Sequence, residues 1–311
     1  MIYYIKHNEI DKEKWDACIS NSPNGLIYAY SWYLEIVCKE WDALVEDDYT
    51  SILPLPKGEK YGYTYTYPPP YTQQLGLFST RHITEKEVAG FLSKIPEEYK
   101  YIEMNLNEQN PVSSGLFELS QGVTHLLNLN TDYKSIFANY STQAKRNLKK
   151  AQANSLTLKK DVAPKKIIEL FRNNKGKEFS HTSSQYTLLD KLMQACIKKG
   201  AGQLWGAYSG ENELCAGAFF LQSNGRAIFL FSGVNEKGYD TQAMTFLINS
   251  YIEEHSGSNL MFDFDGSSDT NIARFYNGFG SEKVNFNKIR KNNLSAPLKW
   301  IKEIQFKRKL Q

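Results

Sequence analysis

The chain has 311 residues, 41% of them hydrophobic and 14% aromatic, with 37 basic and 34 acidic residues for a net charge of +3. Such a composition builds hydrophobic cores and excludes a disordered chain, and the length favours two domains over one. The near balance of charge gives no ground for a DNA partner.

In chain order, hydrophobic periodicity and chain breakers predict strand 2–6, helices 10–21 and 31–40, strands 43–47, 51–56, 61–67 and 72–78, helix 84–95 and strand 99–105. Residues 106–121, rich in Asn, Gln, Ser and Gly, read as an irregular connection, followed by a strand from Thr124 to Leu129 and helices 131–140 and 142–153. Strand 155–160, helices 164–176 and 184–199, strands 202–208, 213–222 and 226–233, helix 240–255, strand 259–264, a short helix 269–277 and strand 282–290 complete the chain. Pro164 suits a first helical position, Gly200 closes a helix whose stripe is Leu189, Leu192, Met193 and Cys196, and Asn224-Gly225 marks a tight hairpin.

The four cysteines lie far apart with no C-x-x-C pair, as expected of reduced core residues, and the five histidines lack ligand spacing, so no metal site is expected. No stretch approaches the ~20 apolar residues of a membrane span, and the N-terminus lacks a signal-peptide pattern. The expected location is cytoplasmic.

Three stretches carry candidate chemistry. Phe262-Asp-Phe-Asp-Gly266 ends a strand, and period-two alternation would put Asp263 and Asp265 on one face, where carboxylates meet ligands; Ser267 and Ser268 follow. Either carboxylate would accept a proton from an incoming ammonium, and the Tyr276 hydroxyl would orient substrate or protonate a leaving group. The bland alternative is that Asp265 caps a helix and Tyr276 packs. Lys145, Arg146, Lys149 and Lys150 share a helix side opposite Ala144, Leu148 and Ala151; Arg146 and Lys149 are candidate phosphate ligands, with a solvated face as the alternative. Tyr61, Tyr63, Tyr65 and Tyr67 form a row before three prolines, and Tyr67 with Gln73 and Gln74 would line a cleft for a sugar, peptide or acyl chain, unless the row simply covers a sheet. Trp205 reads as core or cleft wall, and Glu178 as a solvated residue.

The order β-α-α-β-β-β-α-β-α-β from residue 155 resembles the Gcn5-related N-acetyltransferase (GNAT) fold, and the first half resembles a less regular copy. Two such domains joined by a basic helix pair resemble the FemABX family of aminoacyl and acyl transferases. Gln143-Ala-Lys-Arg-Asn-Leu-Lys-Lys-Ala151 is similar to that family's basic helix, and Arg274-Phe275 with Gly278-Phe279-Gly280 to its R-F-K-x-G-F-G motif. The resemblance implies a mixed α/β (α+β) chain of two tandem GNAT-like domains with largely antiparallel sheets, at 1–129 and 155–311, joined by a basic helical connection at 130–154. It implies an N-acyltransferase, with no tightly bound cofactor, that moves an acyl or aminoacyl group by direct attack from acyl-CoA or aminoacyl-tRNA to a small-molecule amine or amino-sugar acceptor. Arg274 then joins the substrate-binding candidates. A FemABX-type peptidoglycan-precursor aminoacyltransferase and a catalytically silent binding protein are the alternatives. Tyr276 stands where the family's peptidoglycan-building members carry Lys, which tilts the reading away from that acceptor. The GNAT pyrophosphate loop is not matched: Gly238 and Ala243 are present at the wrong spacing, and Asp240, expected as the N-cap of the following helix, would oppose an anion.

Overall fold

The computed structural model describes residues 1–178, 181–266 and 269–310. In chain order the regular elements are β1 (Ile2–Ile5), α1 (Lys12–Asn21), α2 (Ser31–Val37), β2 (Glu40–Glu46), β3 (Ser51–Lys60), β4 (Tyr63–Thr66), β5 (Phe78–Ser79), α3 (Glu85–Ser93), β6 (Tyr99–Asn105), β7 (Glu118–Asn128), α4 (Tyr133–Ala138), α5 (Thr142–Ala153) and β8 (Thr157–Lys160). They continue with α6 (Pro164–Asn173), α7 (Ser183–Lys198), β9 (Gly202–Tyr208), β10 (Leu214–Ser223), β11 (Arg226–Val234), α8 (Glu236–Thr241), α9 (Ala243–His255), β12 (Met261–Asp263), α10 (Thr270–Asn277), β13 (Glu282–Asn292) and α11 (Ala296–Leu310). The chain is mixed α/β, as expected.

It divides into two compact units, residues 1–122 with 285–311, and residues 123–284. This differs from the expected division. The helix pair 131–153 is not a connection: Ala144, Leu148 and Ala151 of α5 are buried, and α5 packs on α9 inside the second unit. The C-terminal end of β13 pairs with β6, and with α11 it returns to the first unit.

In the first unit the strands run β1-β2-β3-β4-β6-β13, with β5 on β3. β4 and β6 are parallel and the remaining pairs antiparallel. Its core gathers Leu44, Leu53, Phe91, Ile102, Met104 and Ile289. A capping box between Thr84 and Glu87 starts α3. The expected strand 72–78 shrinks to β5 and an isolated bridge between Leu75 and Leu106. Three preceding prolines supply no N–H donors, and Gly76 at φ +99° turns the chain out of the extended region.

In the second unit the order is β7-β12-β11-β10-β9-β8. β8 to β11 form an antiparallel meander, interrupted by α6 and α7 between its first two strands, and β11 and β12 are parallel. Asn224 and Gly225, both left-handed, make the tight turn between β10 and β11. A capping box between Thr182 and Gln185 starts α7, and left-handed Gly200 follows its end. Trp205, Phe220, Tyr251 and Phe262 lie at the centre of this core, with the rings of Phe220 and Tyr251 stacked at 3.9 Å. The four cysteines are buried and unpaired, and burial pushes the Cys38 and Cys196 thiols up to about 12.

The expected helix 240–255 is two helices. Gln242, at φ 58° and ψ 36°, separates α8 from α9. Asp240 therefore lies within α8 and caps nothing, and the residue before α9 is Gln242, whose side chain makes no cap bond to that helix. Among the described residues no helix is long and apolar enough to cross a membrane, and no cluster of His, Cys, Asp and Glu would hold a metal ion.

Candidate active site

β11 and β12 hold together through only three registered pairs, Arg226 with Met261, Ala227 with Phe262 and Ile228 with Asp263. β12 then stops, while β11 continues to Val234 against β10 on its other side. A strand edge left without a partner offers backbone N–H and C=O groups from alternate residues. A cavity of about 500 Å³ opens along that edge. Phe229, Ser232, Gly233 and Val234 of β11 form one wall, Gln242, Met244 and Thr245 at the start of α9 a second, and Ile272, Phe275 and Tyr276 of α10 a third.

The start of α9 is chemically open. Its first N–H groups receive no side-chain cap, because the Gln242 amide turns back and donates to the Tyr239 carbonyl of α8 at 2.8 Å. Thr245 is 2% exposed, and its hydroxyl has no hydrogen-bond partner among the described residues. A buried orphan hydroxyl is unfavourable by about 1–3 kcal/mol, so a site that keeps one beside open helix amides favours an oxygen-rich, negatively charged ligand. The lining also holds one charge of each sign, Lys175, which is ion-paired with Glu178, and Asp269.

Tyr276 faces this cavity from α10. Its ring packs on Phe264 at 4.8 Å and lies 5.9 Å from the His125 ring. Burial, then the nearby charges of Asp265 and Asp263, push the phenol well above its ordinary value, so it stays protonated at neutral pH. His125, on β7, is 1% exposed, its Nδ1 has no hydrogen-bond partner among the described residues, and burial holds its pKa below the ordinary 6.5. Sequence reading passed over both His125 and Thr245, since an isolated polar residue in an apolar run gives no signal of what it will face.

The two aspartates take different places. Asp263 is 1% exposed and accepts from the Thr124 hydroxyl and from the Asp265 N–H at 2.9 Å, with Arg226 Nε 3.3 Å from its other oxygen. A guanidinium and two donors hold this carboxylate in place, and Asp263 is not among the residues that line the cavity. The expected common face fails because the strand ends at Asp263 and Asp265 adopts φ 52°. Gly266 follows at φ +24°, so close to β7 that an added Cβ would lie 1.9 Å from the Val123 carbonyl oxygen. Ser267 and Ser268 lie outside the described residues.

None of the other candidates is among the residues that line this cavity. Arg146 and Lys149 are exposed on α5, where Arg146 donates to Gln143 at 2.8 Å, and Arg274 is exposed on α10. Trp205 is core, packed against Tyr251 at 5.1 Å. Tyr67, Gln73 and Gln74 belong to the first unit. Gln74 is buried, donating to Gln73 and accepting from the Glu108 N–H at 3.0 Å, and Tyr67 borders a hollow of about 10 Å³, the room of a single water. Glu178 pairs with Lys175 near the surface.

Residues 138–269 match the family model described as an acetyltransferase (GNAT) domain. The chain carries a GNAT acyltransferase domain. The cavity walled by β11, α9 and α10 lies largely within this stretch, with α10 just beyond it. Among solved structures the chain is similar to FemX, at TM-score 0.68 and 12% identity over 94% of this chain and 98% of that one. It is also similar to L-PGS from Bacillus licheniformis, at TM-score 0.55 and 10% identity over 94% and 95%. A conserved protein of unknown function from Bacteroides thetaiotaomicron gives TM-score 0.54 and 6% identity over 93% and 99%. At these identities the likeness is one of fold. No curated protein matches the chain in sequence.

Proposed function

We propose that the GNAT domain transfers an acyl or aminoacyl group from an activated carrier to an amine, with the carrier's phosphate-bearing arm entering at the start of α9 and its acyl carbon brought beside Tyr276. The observation that carries this reading is the open first turn of α9 joined to the orphan Thr245 hydroxyl on the wall of a 500 Å³ cavity. The amine nitrogen attacks the carbonyl carbon, the C–N bond forms, and the C–S or C–O bond to the carrier breaks. The excess proton on nitrogen passes to water, and the departing sulfur or oxygen takes the Tyr276 proton. The free edge of β11 supplies N–H groups to the transient oxyanion. No covalent enzyme intermediate is needed in this reaction.

The phosphate-bearing arm is common to acyl-CoA and to the acceptor end of aminoacyl-tRNA, so the site suits either donor. The acceptor proposed is a small amine or amino sugar; Tyr276, in place of the lysine of peptidoglycan-building relatives, supports that choice over a peptidoglycan precursor. Titration of the protein with coenzyme A and with an aminoacylated acceptor-stem RNA tests the reading. Binding of one of them, weakened at least tenfold by Thr245→Val, supports it and names the donor. Binding indifferent to Thr245→Val, or none at millimolar coenzyme A and micromolar RNA, refutes it.

A further inference from the structure

A second cavity, of about 280 Å³, lies in the first unit. Its floor is aromatic. Tyr63 and Tyr65 stand two apart on β4, so they share a face, and Tyr101 of β6 pairs in register with Tyr65. Tyr61 stands at the tip of the β3–β4 turn, left-handed at φ 52°, beside Gly62. The roof is Leu294 with Leu298 and Lys302, the last two one helical turn apart on α11.

The fold keeps this space from collapsing. The Tyr65 ring lies flat across Gly58 on the neighbouring strand, where an added Cβ would come within 2.3 Å of it. α11 is fastened at both sides of the cavity: the Tyr63 hydroxyl donates to Ser295 at 2.9 Å, and Glu303 takes both terminal nitrogens of the buried Arg290, at 3.0 and 2.7 Å, and the Asn292 amide at 2.7 Å. Two of the phenol hydroxyls are thereby committed, Tyr63 to Ser295 and Tyr101 to Glu103 at 2.9 Å, so what these residues offer a ligand is ring surface. The charged residues of the lining are Lys60 and Lys302, and the Glu103 carboxylate that accepts from Tyr101 is outside it. Lys60 lies 5.2 Å from the Tyr61 ring centre, and Lys302 lies 4.9 Å from that of Tyr101.

We propose that this cavity is a second binding site, separate from acyl transfer, for a flat aromatic ring that carries an anionic group, as an aryl phosphate or a nucleoside monophosphate does. The ring stacks on the tyrosines and the anion meets the two ammonium groups. At 280 Å³ the space is at the small end of ligand pockets, about 300 Å³, and admits one ring system with one charged substituent.

The test is calorimetric titration of the whole protein with AMP, phenyl phosphate, adenosine and inorganic phosphate. The expected result is that AMP or phenyl phosphate binds at least tenfold tighter than either adenosine or inorganic phosphate. Lys60→Gln with Lys302→Gln weakens that binding at least tenfold, Tyr61→Ala weakens it at least fivefold, and Tyr276→Phe leaves it unchanged. Tighter AMP assigns a nucleotide, and tighter phenyl phosphate a simple aryl anion. Inorganic phosphate as tight as AMP, binding insensitive to the lysine and Tyr61 variants, or no binding of any probe at 5 mM overturns the proposal. Tyr61 and Lys60 sit at a hairpin tip, so their substitution leaves the fold intact and a loss of binding reads on the site itself.

Discussion

Replacement of Asp263 separates a structural carboxylate from a catalytic one. Its oxygens receive the Thr124 hydroxyl, the Asp265 N–H and the charge of Arg226, all at a position 1% exposed. Removing one partner of a buried ion pair leaves the other charge uncompensated, at about 3–5 kcal/mol. A cooperative unit of this size loses about 2–4 °C of melting temperature per kcal/mol, so Asp263→Ala should melt roughly 6–20 °C lower. Asp263→Asn should fall part of that way, because its amide brings N–H donors to a place already crowded with donors. Arg226→Met on its own should be similarly destabilising, and the double variant Asp263→Ala/Arg226→Met should lose less than the sum of the two. Scanning calorimetry of the four proteins, with turnover measured well below each transition, reads both consequences. An Asp263→Asn protein that melts within 2 °C of the parent yet loses at least a hundredfold in turnover would refute the structural account and make Asp263 the base.

Tyr276→Phe should lower kcat by about 10²–10⁴-fold with little change in KM and in melting temperature, since the ring remains packed on Phe264 and only the proton donor is lost. Thr245→Val should weaken carrier binding by about 10-fold or more, the worth of one hydrogen bond to a charged group, while the free protein melts no lower because a buried orphan hydroxyl is gone. His125, held below 6.5 by burial and next by Lys283, is neutral when folded and takes up a proton more readily when unfolded. The stability this contributes is complete above pH 6.5 and is lost as the pH falls through the lower folded value, so His125→Gln should show a smaller drop in urea midpoint between pH 7 and pH 5 than the parent; an identical drop removes His125 from the account of acid sensitivity.

The meander was legible because its signals are local. β9, β10 and β11 fall within a residue of their expected bounds, fixed by Gly202, the Asn224-Gly225 turn and unbroken apolar runs. Tyr276 was legible as a candidate through its place in a motif, and the structure sets it on the cavity wall. The Asp263–Asp265 face was misread because alternation holds only while the chain stays extended, and Asp265, in the Asp-Gly turn that follows Asp263 and Phe264, is already left-handed. The basic side of α5 had no partner to be inferred from its own periodicity, which fixes a face and says nothing of what meets it. α11 was missed because its lysines interrupt the apolar pattern, while part of its hold comes from Arg290 through Glu303, a pairing set by tertiary structure.

Gln242 joins two helices with a single residue in the left-handed region, a conformation that is unfavourable by about 1–2 kcal/mol for a side chain of this kind. A glycine would sit there without strain, but it would also leave the Tyr239 carbonyl without its side-chain donor. The residue therefore finishes the helix behind it and leaves the one ahead bare. A protein selected only to stay folded would gain from the reverse arrangement, with a short Ser or Asp ahead of Ala243. Position 242 is left-handed, not extended as an N-cap requires, so Gln242→Asp on its own does not recover that cap; its carboxylate at the mouth of α9 should weaken binding of an anionic carrier while the empty protein melts no higher, a loss of affinity with no return in resistance to heat.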